Sequence, residues 1–206
     1  MWYTCIRRRK KGGKDNCAYV FTASQPFATD LINSNRKWFR YEWIWVKNRP
    51  IGFLLAKKQP MRNHEYILIF YNKQSIYNPI MEIRDLNKNS QNRYKYNFNS
   101  TKGNNKQQGG VIAQRKNNTP NILRFPSTVK YYDSISPNKL IHPTQKPVAL
   151  MEYLIKTYTD ESALVLDPFI GSGSTALACK KLNRNFIGME IYQEYIDTAN
   201  GRLNEL

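Results

Sequence analysis

A glycine-rich stretch near the carboxyl terminus, "DPFIGSGST" (residues 167–175), carries residue types that suit ligand binding. Gly171 and Gly173 permit a tight turn and let a ligand approach the backbone closely. Glu190 follows 17 residues after Gly173 (190 − 173). An acid at that distance is placed to accept hydrogen bonds from the hydroxyls of a ribose. The spacing therefore predicts a ligand that contains a nucleoside.

The turn departs from the common phosphate-binding loops. No Gly-Lys-Ser/Thr follows the second glycine, and the third glycine of a dinucleotide fingerprint is missing. The carboxylate of Asp167 would repel a pyrophosphate but suits a cationic ligand such as S-adenosylmethionine, which carries an amine, a sulfonium and a ribose. Ser172, Ser174 and Thr175 are expected to cap the following helix. The alternative is that the stretch is only a tight strand-to-helix turn. The matched acid favours the cofactor.

The elements around this turn form a strand–helix–strand unit, which is expected to be right-handed. Two earlier strands follow each other with no helix between them, which predicts an antiparallel pair at the edge of an α/β sheet. His64 and Glu65 lie beside the second of these strands, and the histidine is expected to be structural. The predicted strands are 17–23, 41–47, 65–73, 163–169 and 185–191. Two helices are predicted with Pro26 and Pro147 in their first turns, a third after the turn at Gly171, and a closing helix from Tyr192.

Composition limits the class of protein. The 206 residues are 41% hydrophobic, which predicts one domain with a packed core. The net charge of +17 favours nucleic acid as a partner over a merely solvated basic surface. The three cysteines show no CxxC pairing, which indicates a reducing cytoplasm and no zinc site. No apolar run is long enough to span a bilayer, and no membrane partner is expected.

A polar stretch from about residue 74 to 140 interrupts the chain. Asn, Lys, Ser, Gln and Tyr dominate it, so it can bury little apolar surface and is expected to be rich in loops. Its aromatic residues, Tyr77, Tyr94, Tyr96 and Phe98, could stack on bases while its cations follow phosphates. A solvated insertion with a few anchoring tyrosines explains the composition equally well.

"HPTQKP" (142–147), "LDPFIGSGST" (166–175) and "FIGMEI" (186–191) together resemble the DNA amino-methyltransferases. Members of that family transfer a methyl group from S-adenosylmethionine to adenine N6 or cytosine N4. The resemblance also covers "FTASQPFATDLINSNRKWFRYEWIW" and "GFLLAKKQPMRNHEYILIFYNK", and so most of the chain outside its Asn/Lys-rich middle. The chain is similar to the compact methylases of bacteriophages and prophages.

This resemblance implies an α/β, Rossmann-like methyltransferase fold with permuted motif order. Three stretches are expected to form one domain: the second half of the catalytic subdomain (1–73), a basic target-recognition insertion (74–140) and the cofactor-binding subdomain (141–206). The residues that the resemblance assigns to S-adenosylmethionine are Asp167, Phe169, Gly171, Gly173 and Ser174 for the cradle, Glu190 for the ribose, and His142, Thr144, Gln145 and Lys146 for the methionine end. A helix entry fixed by Pro147, with Lys146 a surface charge, is the simpler alternative.

The family's catalytic tetrapeptide, Asp/Asn/Ser-Pro-Pro-Tyr/Phe/Trp, is absent from the 206 residues, which contain no Pro-Pro. In the resembled proteins this motif lies shortly before a segment like the opening "MWYTCIRRRKKGG", so the reading frame is expected to start just downstream of it. The fold is then expected to lack its central strand, between 164–167 and 18–22. Those strands would pair directly, or a second chain would supply the strand, or the chain would fold poorly alone.

The amino-acid sequence leaves three functions open. The favoured one is a cytoplasmic methyltransferase, of the kind found in restriction-modification systems, that acts on double-stranded DNA, with adenine N6 preferred over cytosine N4. The second is an inactive remnant or subunit that retains DNA or cofactor binding, which the missing tetrapeptide favours. The third, a structural basic protein with an accidental glycine turn, is disfavoured by the paired motifs.

Overall fold

The computed structural model describes residues 17–83 and 123–206, together with the backbone of one further strand at residues 2–7. Single 3-10 turns lie at Phe53–Leu55 and Pro137–Lys139. The strands are β1 (Trp2–Arg7), β2 (Ala18–Ala23), β3 (Phe39–Ile51), β4 (Arg62–Phe70), β5 (Glu82–Ile83), β6 (Leu123–Arg124), β7 (Val129–Tyr131), β8 (Leu164–Asp167) and β9 (Asn185–Gly188), and the helices are α1 (Phe27–Ser34), α2 (Val148–Tyr158), α3 (Ser174–Lys181) and α4 (Gln193–Asn204).

Seven of these strands form one mixed sheet in the order β7-β3-β4-β2-β1-β8-β9. β1 and β4 run antiparallel to their neighbours, whereas β3 with β7 and β8 with β9 are parallel pairs. Strands β2, β3, β7, β8 and β9 therefore all point the same way. Their last residues lie along one edge, which we call the carboxyl edge, and the glycine turn after β8 begins there.

Strand β1 occupies the position in which a gap was expected. Residues Trp2 to Ile6 pair antiparallel with β2, and Cys5 to Arg7 pair antiparallel with β8. Strands β2 and β8 thus neither pair directly nor lose their shared neighbour, because the chain's own opening segment supplies their hydrogen bonds. A strand from another polypeptide could enter this position only by displacing β1.

Alternating side chains of β2, β3 and β4 point to opposite faces, and each face is covered by a different helix. One face buries Val20, Trp43 and Ile67 against Leu150 and Leu154 of α2. The other face packs aromatic side chains, including Phe70, against α1. A third cluster joins α2 and α3 to Val165 of β8. The sheet edge that carries the glycine turn is therefore fixed by helices packed on the sheet.

Two local expectations differ from the structure. The pair β3–β4 was expected at the edge of the sheet, but β7 lies outside β3 and pairs with it through Val129 to Tyr131. A strand of three residues is too short to show alternation, and this one falls in the stretch expected to be loop. Pro26 and Pro147 are the N-cap residues of α1 and α2 rather than members of the first turn.

Residues Met81–Pro126 form a compact unit separate from the rest of the chain. Its described part is the antiparallel pair β5–β6, in which Arg124 and Glu82 form an ion pair at 3.1 Å. Three of the four predicted stacking residues, Tyr94, Tyr96 and Phe98, lie outside the described residues, whereas the Tyr77 ring contacts the Tyr158 ring at a centroid distance of 6.3 Å. In the part of the chain that the structure describes, no helix has the length and hydropathy needed to cross a bilayer.

Candidate functional site

Asp167 ends β8 and holds the glycine turn in shape. Its side chain is 1% exposed. The hydroxyl of Thr175 donates to Oδ2 at 2.6 Å, and the backbone N–H of Phe169 donates to Oδ1 at 3.1 Å. Gly171 (φ 51°) and Gly173 (φ 82°) adopt left-handed conformations that other residues rarely take. The carboxylate therefore braces both ends of the turn from inside the protein.

The hydroxyl groups after the turn do not cap α3 as expected. Gly173 is the N-cap residue, and no described side chain makes a cap hydrogen bond there. Thr175 instead donates to Asp167, while Arg202 of α4 donates to the carbonyl oxygen of Ser172. The hydroxyl oxygen of Ser174 is buried and, among the described residues, has no hydrogen-bond partner. The first turn of α3 thus keeps donors available for a ligand.

Glu190 lies two residues beyond β9, which ends at Gly188 rather than at the acid as expected. Its Oε2 accepts the backbone N–H of Gly171 at 3.0 Å, and its Oε1 accepts those of Ile191 at 2.9 Å and Tyr192 at 3.1 Å. A carboxylate has about four acceptor positions, so three backbone bonds leave it room for about one ligand hydroxyl. Glu190 is thereby locked against the glycine turn.

Helix α4 presses on the glycine turn from outside. A Cβ on Gly173 would lie 2.8 Å from the Cβ and 3.2 Å from the Cα of Ala199. No side chain can occupy that space unless α4 moves. The second glycine of the turn is therefore required both by its positive φ and by the close approach of the helix.

The "HPTQKP" segment lies at the same edge of the sheet and is held by its own side chains. The Thr144 N–H donates to Nδ1 of His142 at 3.2 Å, and the Ile141 N–H donates to Oε1 of Gln145 at 3.1 Å. The His142 ring contacts the ring of Tyr195 in α4 at a centroid distance of 4.3 Å. Burial lowers the pKa of His142, and the Glu190 carboxylate opposes this shift. His142 is thus placed beside Glu190, while Thr144 and Gln145 shape the loop.

The Lys146 side chain is directed toward Glu65 of β4 and is buried, so it is not a surface charge. Its Nζ lies 2.9 Å from Oε2 of Glu65 in β4, and Lys47 of β3 forms an ion pair with the other oxygen. Both ammonium groups also lie over the Trp45 ring, at 5.5 Å for Lys146 and 4.8 Å for Lys47. Burial lowers the pKa of Lys146, whereas the Glu65 carboxylate raises it.

Glu65 is a candidate site residue that the sequence interpretation did not single out. Burial alone would raise its pKa, but the neighbouring ammonium groups, Lys146 foremost, lower it below the ordinary value. Strand alternation offered a signal, since residues 43, 45 and 47 of β3 and 65, 67 and 69 of β4 share one face. An acid and a lysine within that otherwise apolar face must find partners. His64, by contrast, contacts only the Tyr66 ring among the ring contacts described, at 5.4 Å.

A small cavity lies between Lys146 and the first turn of α3. It has a volume of about 10 Å³, and its polar lining consists of Lys146, Thr22, Ser174 and Thr175. Like Ser174, Thr22 has a buried hydroxyl oxygen with no hydrogen-bond partner in the described residues. Two unpaired buried hydroxyls beside an ammonium group are costly unless a water or ligand atom completes their hydrogen bonds.

Replacing Glu65 with Gln should destabilise the protein strongly. The change leaves two largely buried ammonium groups without their countercharge, and we expect a loss of about 2–4 kcal/mol in the free energy of unfolding. Urea denaturation measures it. The matched control is Glu152→Gln, which removes the acid of the more exposed pair with Lys181 (3.5 Å) and should cost at most about 1 kcal/mol. Equal losses in the two variants would contradict the buried triad.

The titration of Asp167 should make stability depend on pH. Burial is the main cause that raises its pKa from 3.8 to about 6, with the Glu190 carboxylate adding to the shift. The folded state then binds more protons than the unfolded state between these values, so this contribution to stability is lost as the pH rises from about 4 to 6. The stability of the wild type minus that of Asp167→Asn should fall by up to about 3 kcal/mol over this range. A pH-independent difference in urea denaturation would contradict this.

Comparison with known proteins identifies the family of the chain. A family model described as DNA methylase (N6_N4_Mtase) matches residues 2–201. The type II methyltransferase M.ScaI of Streptomyces caespitosus is 29% identical over 209 residues, which cover 98% of this chain and 64% of M.ScaI. M.HpaI of Haemophilus parainfluenzae is 45% identical over 94 residues, 46% of this chain and 29% of that protein. The chain thus spans less than two thirds of the length of either relative.

The fold is also found in solved structures. M1.HpyAVI in complex with SAM superposes with a TM-score of 0.58 at 30% identity, over 92% of this chain and 75% of that one. The PvuII cytosine-N4-specific DNA methyltransferase shares the fold alone, with a TM-score of 0.55 at 16% identity, over 90% of this chain and 63% of that one. Because the family match runs through nearly its whole length, the chain belongs to the N6_N4_Mtase family of DNA methylases.

Proposed function

We propose that the chain provides cofactor and DNA binding to an S-adenosylmethionine-dependent DNA methyltransferase that modifies adenine N6, with cytosine N4 as the alternative target. The observation that carries the proposal is the cluster at the carboxyl edge, where the glycine turn, Glu190 and "HPTQKP" meet in a chain of this family. The preference for adenine over cytosine is taken from the sequence resemblance to the DNA amino-methyltransferases. The motif order is permuted in this proposal, since the cofactor turn follows the other motifs.

The residues at this edge fit the cofactor. The remaining acceptor position of Glu190 suits a ribose hydroxyl, and the exposed ring of Phe169 offers an apolar surface beside the turn. The hydroxyls of Thr22 and Ser174, which have no partner among the described residues, can form hydrogen bonds with a polar group of the cofactor near Lys146. His142, Thr144, Gln145 and Lys146 would shape the methionine end, and Asp167, Gly171 and Gly173 the cradle. When bound, S-adenosylmethionine supplies an electrophilic methyl group.

The chemistry of transfer also demands a group that these residues do not supply. An exocyclic amino nitrogen is a poor nucleophile because its lone pair is delocalised into the ring, so it must be flipped out and aligned by hydrogen-bond acceptors. By the resemblance, the family's Pro-Pro tetrapeptide provides these acceptors, and it is absent from the 206 residues. We therefore assign cofactor and DNA binding to this chain and place the catalytic tetrapeptide on a further polypeptide segment.

The proposed division of the chain follows from these roles. Residues 1–73 contribute the sheet that supports Glu65, residues 74–140 recognise the target sequence, and residues 141–206 hold the cofactor. A catalytically inactive protein that still binds DNA or cofactor is the second candidate, favoured by the missing tetrapeptide. Strand β1 holds the central position, so under the first candidate a strand that carries the tetrapeptide would have to displace β1, whereas the second candidate requires no such exchange.

Binding to duplex DNA is the experiment that tests the proposed partner. With 32 Lys and Arg against 15 Asp and Glu, phosphate contacts should dominate the affinity. Four or more contacts would give a slope of log K against log salt of about −3.6 or steeper. Fluorescence anisotropy with a labelled duplex of mixed sequence, from about 50 to 400 mM salt, measures the slope. A flat response would show that the basic charge is incidental.

A further inference from the structure

The loop that connects β3 to β4 exposes large apolar side chains. We call residues 49–62 the hairpin tip. Within it, Phe53 is 77% exposed and Leu54 is 97% exposed, and Ile51 and Leu55 are also open to solvent. Four exposed cations flank them, namely Arg49, Lys57, Lys58 and Arg62, and the hairpin tip contains no acid. An apolar cluster ringed only by positive charge suits an apolar surface edged with anions.

The hairpin tip is an ordered element. Gly52 turns the chain at φ 96°, and a Cβ there would meet nothing within 4 Å. Backbone bonds from Leu55 N–H to Gly52 O (3.0 Å) and from Ala56 N–H to Phe53 O (3.0 Å) then close a 3-10 turn. Lys58 N–H to Leu55 O (2.8 Å) continues it. The turn therefore presents Phe53 and Leu54 outward on a defined backbone.

Its place in the sheet puts the hairpin tip at the proposed site. β3 ends and β4 begins at the carboxyl edge, so the tip extends from the edge that carries the glycine turn. At its base, Lys47 and Glu65 form the ion-paired group that holds Lys146. A duplex whose target base lies near this edge would therefore meet the tip.

We infer that the hairpin tip inserts into duplex DNA beside the target base. Phe53 and Leu54 enter the opened base stack as an apolar wedge, while the flanking cations neutralise phosphates. Methylation of an exocyclic nitrogen requires the base to leave the helix, which exposes apolar base faces that such a wedge can cover. The charge pattern favours DNA over an apolar protein partner, since the tip offers cations on both sides. This inference rests on the proposed function, because it takes duplex DNA as the substrate.

Anisotropy titrations of a labelled duplex test the wedge, with circular dichroism to show that each variant is folded. Phe53→Ser/Leu54→Ser should weaken binding at least about tenfold at every salt concentration without changing the salt slope, since no charge is lost. Phe53→Leu/Leu54→Met keeps the apolar character and should retain the affinity. Lys57→Gln/Lys58→Gln should make the slope shallower by about 1.8.

Arg36→Gln/Lys37→Gln is the charge-matched control. It removes two exposed cations where β3 begins, at the opposite edge of the sheet, and should leave the slope unchanged. Equal DNA affinity of the wild type and Phe53→Ser/Leu54→Ser overturns the inference. So does a serine-sensitive association that occurs with phosphatidylserine vesicles, or between copies of the chain, and not with DNA. A wild type that fails to bind any duplex defeats the proposed function itself, which separates the two failures.

Discussion

A polypeptide of these 206 residues, supplied with methyl-labelled S-adenosylmethionine and unmethylated DNA, is expected to transfer little or no label to the DNA. The proposed site can hold and orient the cofactor, but it offers no described acceptor set for the amino nitrogen of a flipped base. Positioned acceptors of this kind are worth roughly 10²–10⁴ in rate. Loss of alignment adds to that deficit, because proximity carries much of such a reaction.

The assay also separates the two candidate functions. A polypeptide that carries the family's tetrapeptide, added to the chain, should raise transfer if the chain is the cofactor- and DNA-binding part of an enzyme. Mass spectrometry of the nucleosides then distinguishes N6-methyladenine from N4-methylcytosine. Robust transfer by the unaccompanied chain would overturn the assignment and require an acceptor among residues such as Glu65.

Gly173→Val should abolish the binding of S-adenosylmethionine. The valine would have to adopt φ near 82°, and its Cβ would press on Ala199 of α4 at 2.8 Å. The turn and the helix must then separate, which disturbs the backbone that Asp167 and Glu190 brace. We expect the affinity to fall at least about 30-fold and the free energy of unfolding to fall by about 2–4 kcal/mol.

Gly52→Val is the matched control for this variant. It places the same side chain at a similar φ of 96°, but its Cβ meets no atom within 4 Å. It should cost about 1–2 kcal/mol of stability from backbone strain and leave the cofactor affinity unchanged. Isothermal titration calorimetry and urea denaturation of both variants measure the two effects. Equal cofactor affinities in the two variants would remove Gly173 from the site.

The glycine turn and its flanking elements were open to prediction because their signals are local. A buried strand, two glycines, a helix and a second strand follow one another within about 25 residues, and the structure contains them as β8, α3 and β9. Their parallel pairing follows from the same short connection. The spacing also predicted that Glu190 lies close to the turn, and its Oε2 accepts the Gly171 N–H, although β9 ends two residues before it.

Long-range partners were not open to prediction in this way. Glu65 and Lys146 are 81 residues apart in sequence, and only strand pairing and the path of the "HPTQKP" loop bring them together. β1 was missed because its place between β2 and β8 depends on long-range strand pairing, which a local sequence pattern does not reveal. The expected gap was inferred from a resemblance, and the chain's own backbone fills it.

Titration of the wild-type chain with S-adenosylmethionine by calorimetry tests the central claim most directly, because the claim is that the carboxyl edge forms a cofactor site. We expect one saturable site per chain that Gly173→Val eliminates and Gly52→Val preserves. A wild type that is folded by circular dichroism but shows no saturable binding, or that binds as tightly after Gly173→Val, would contradict the account.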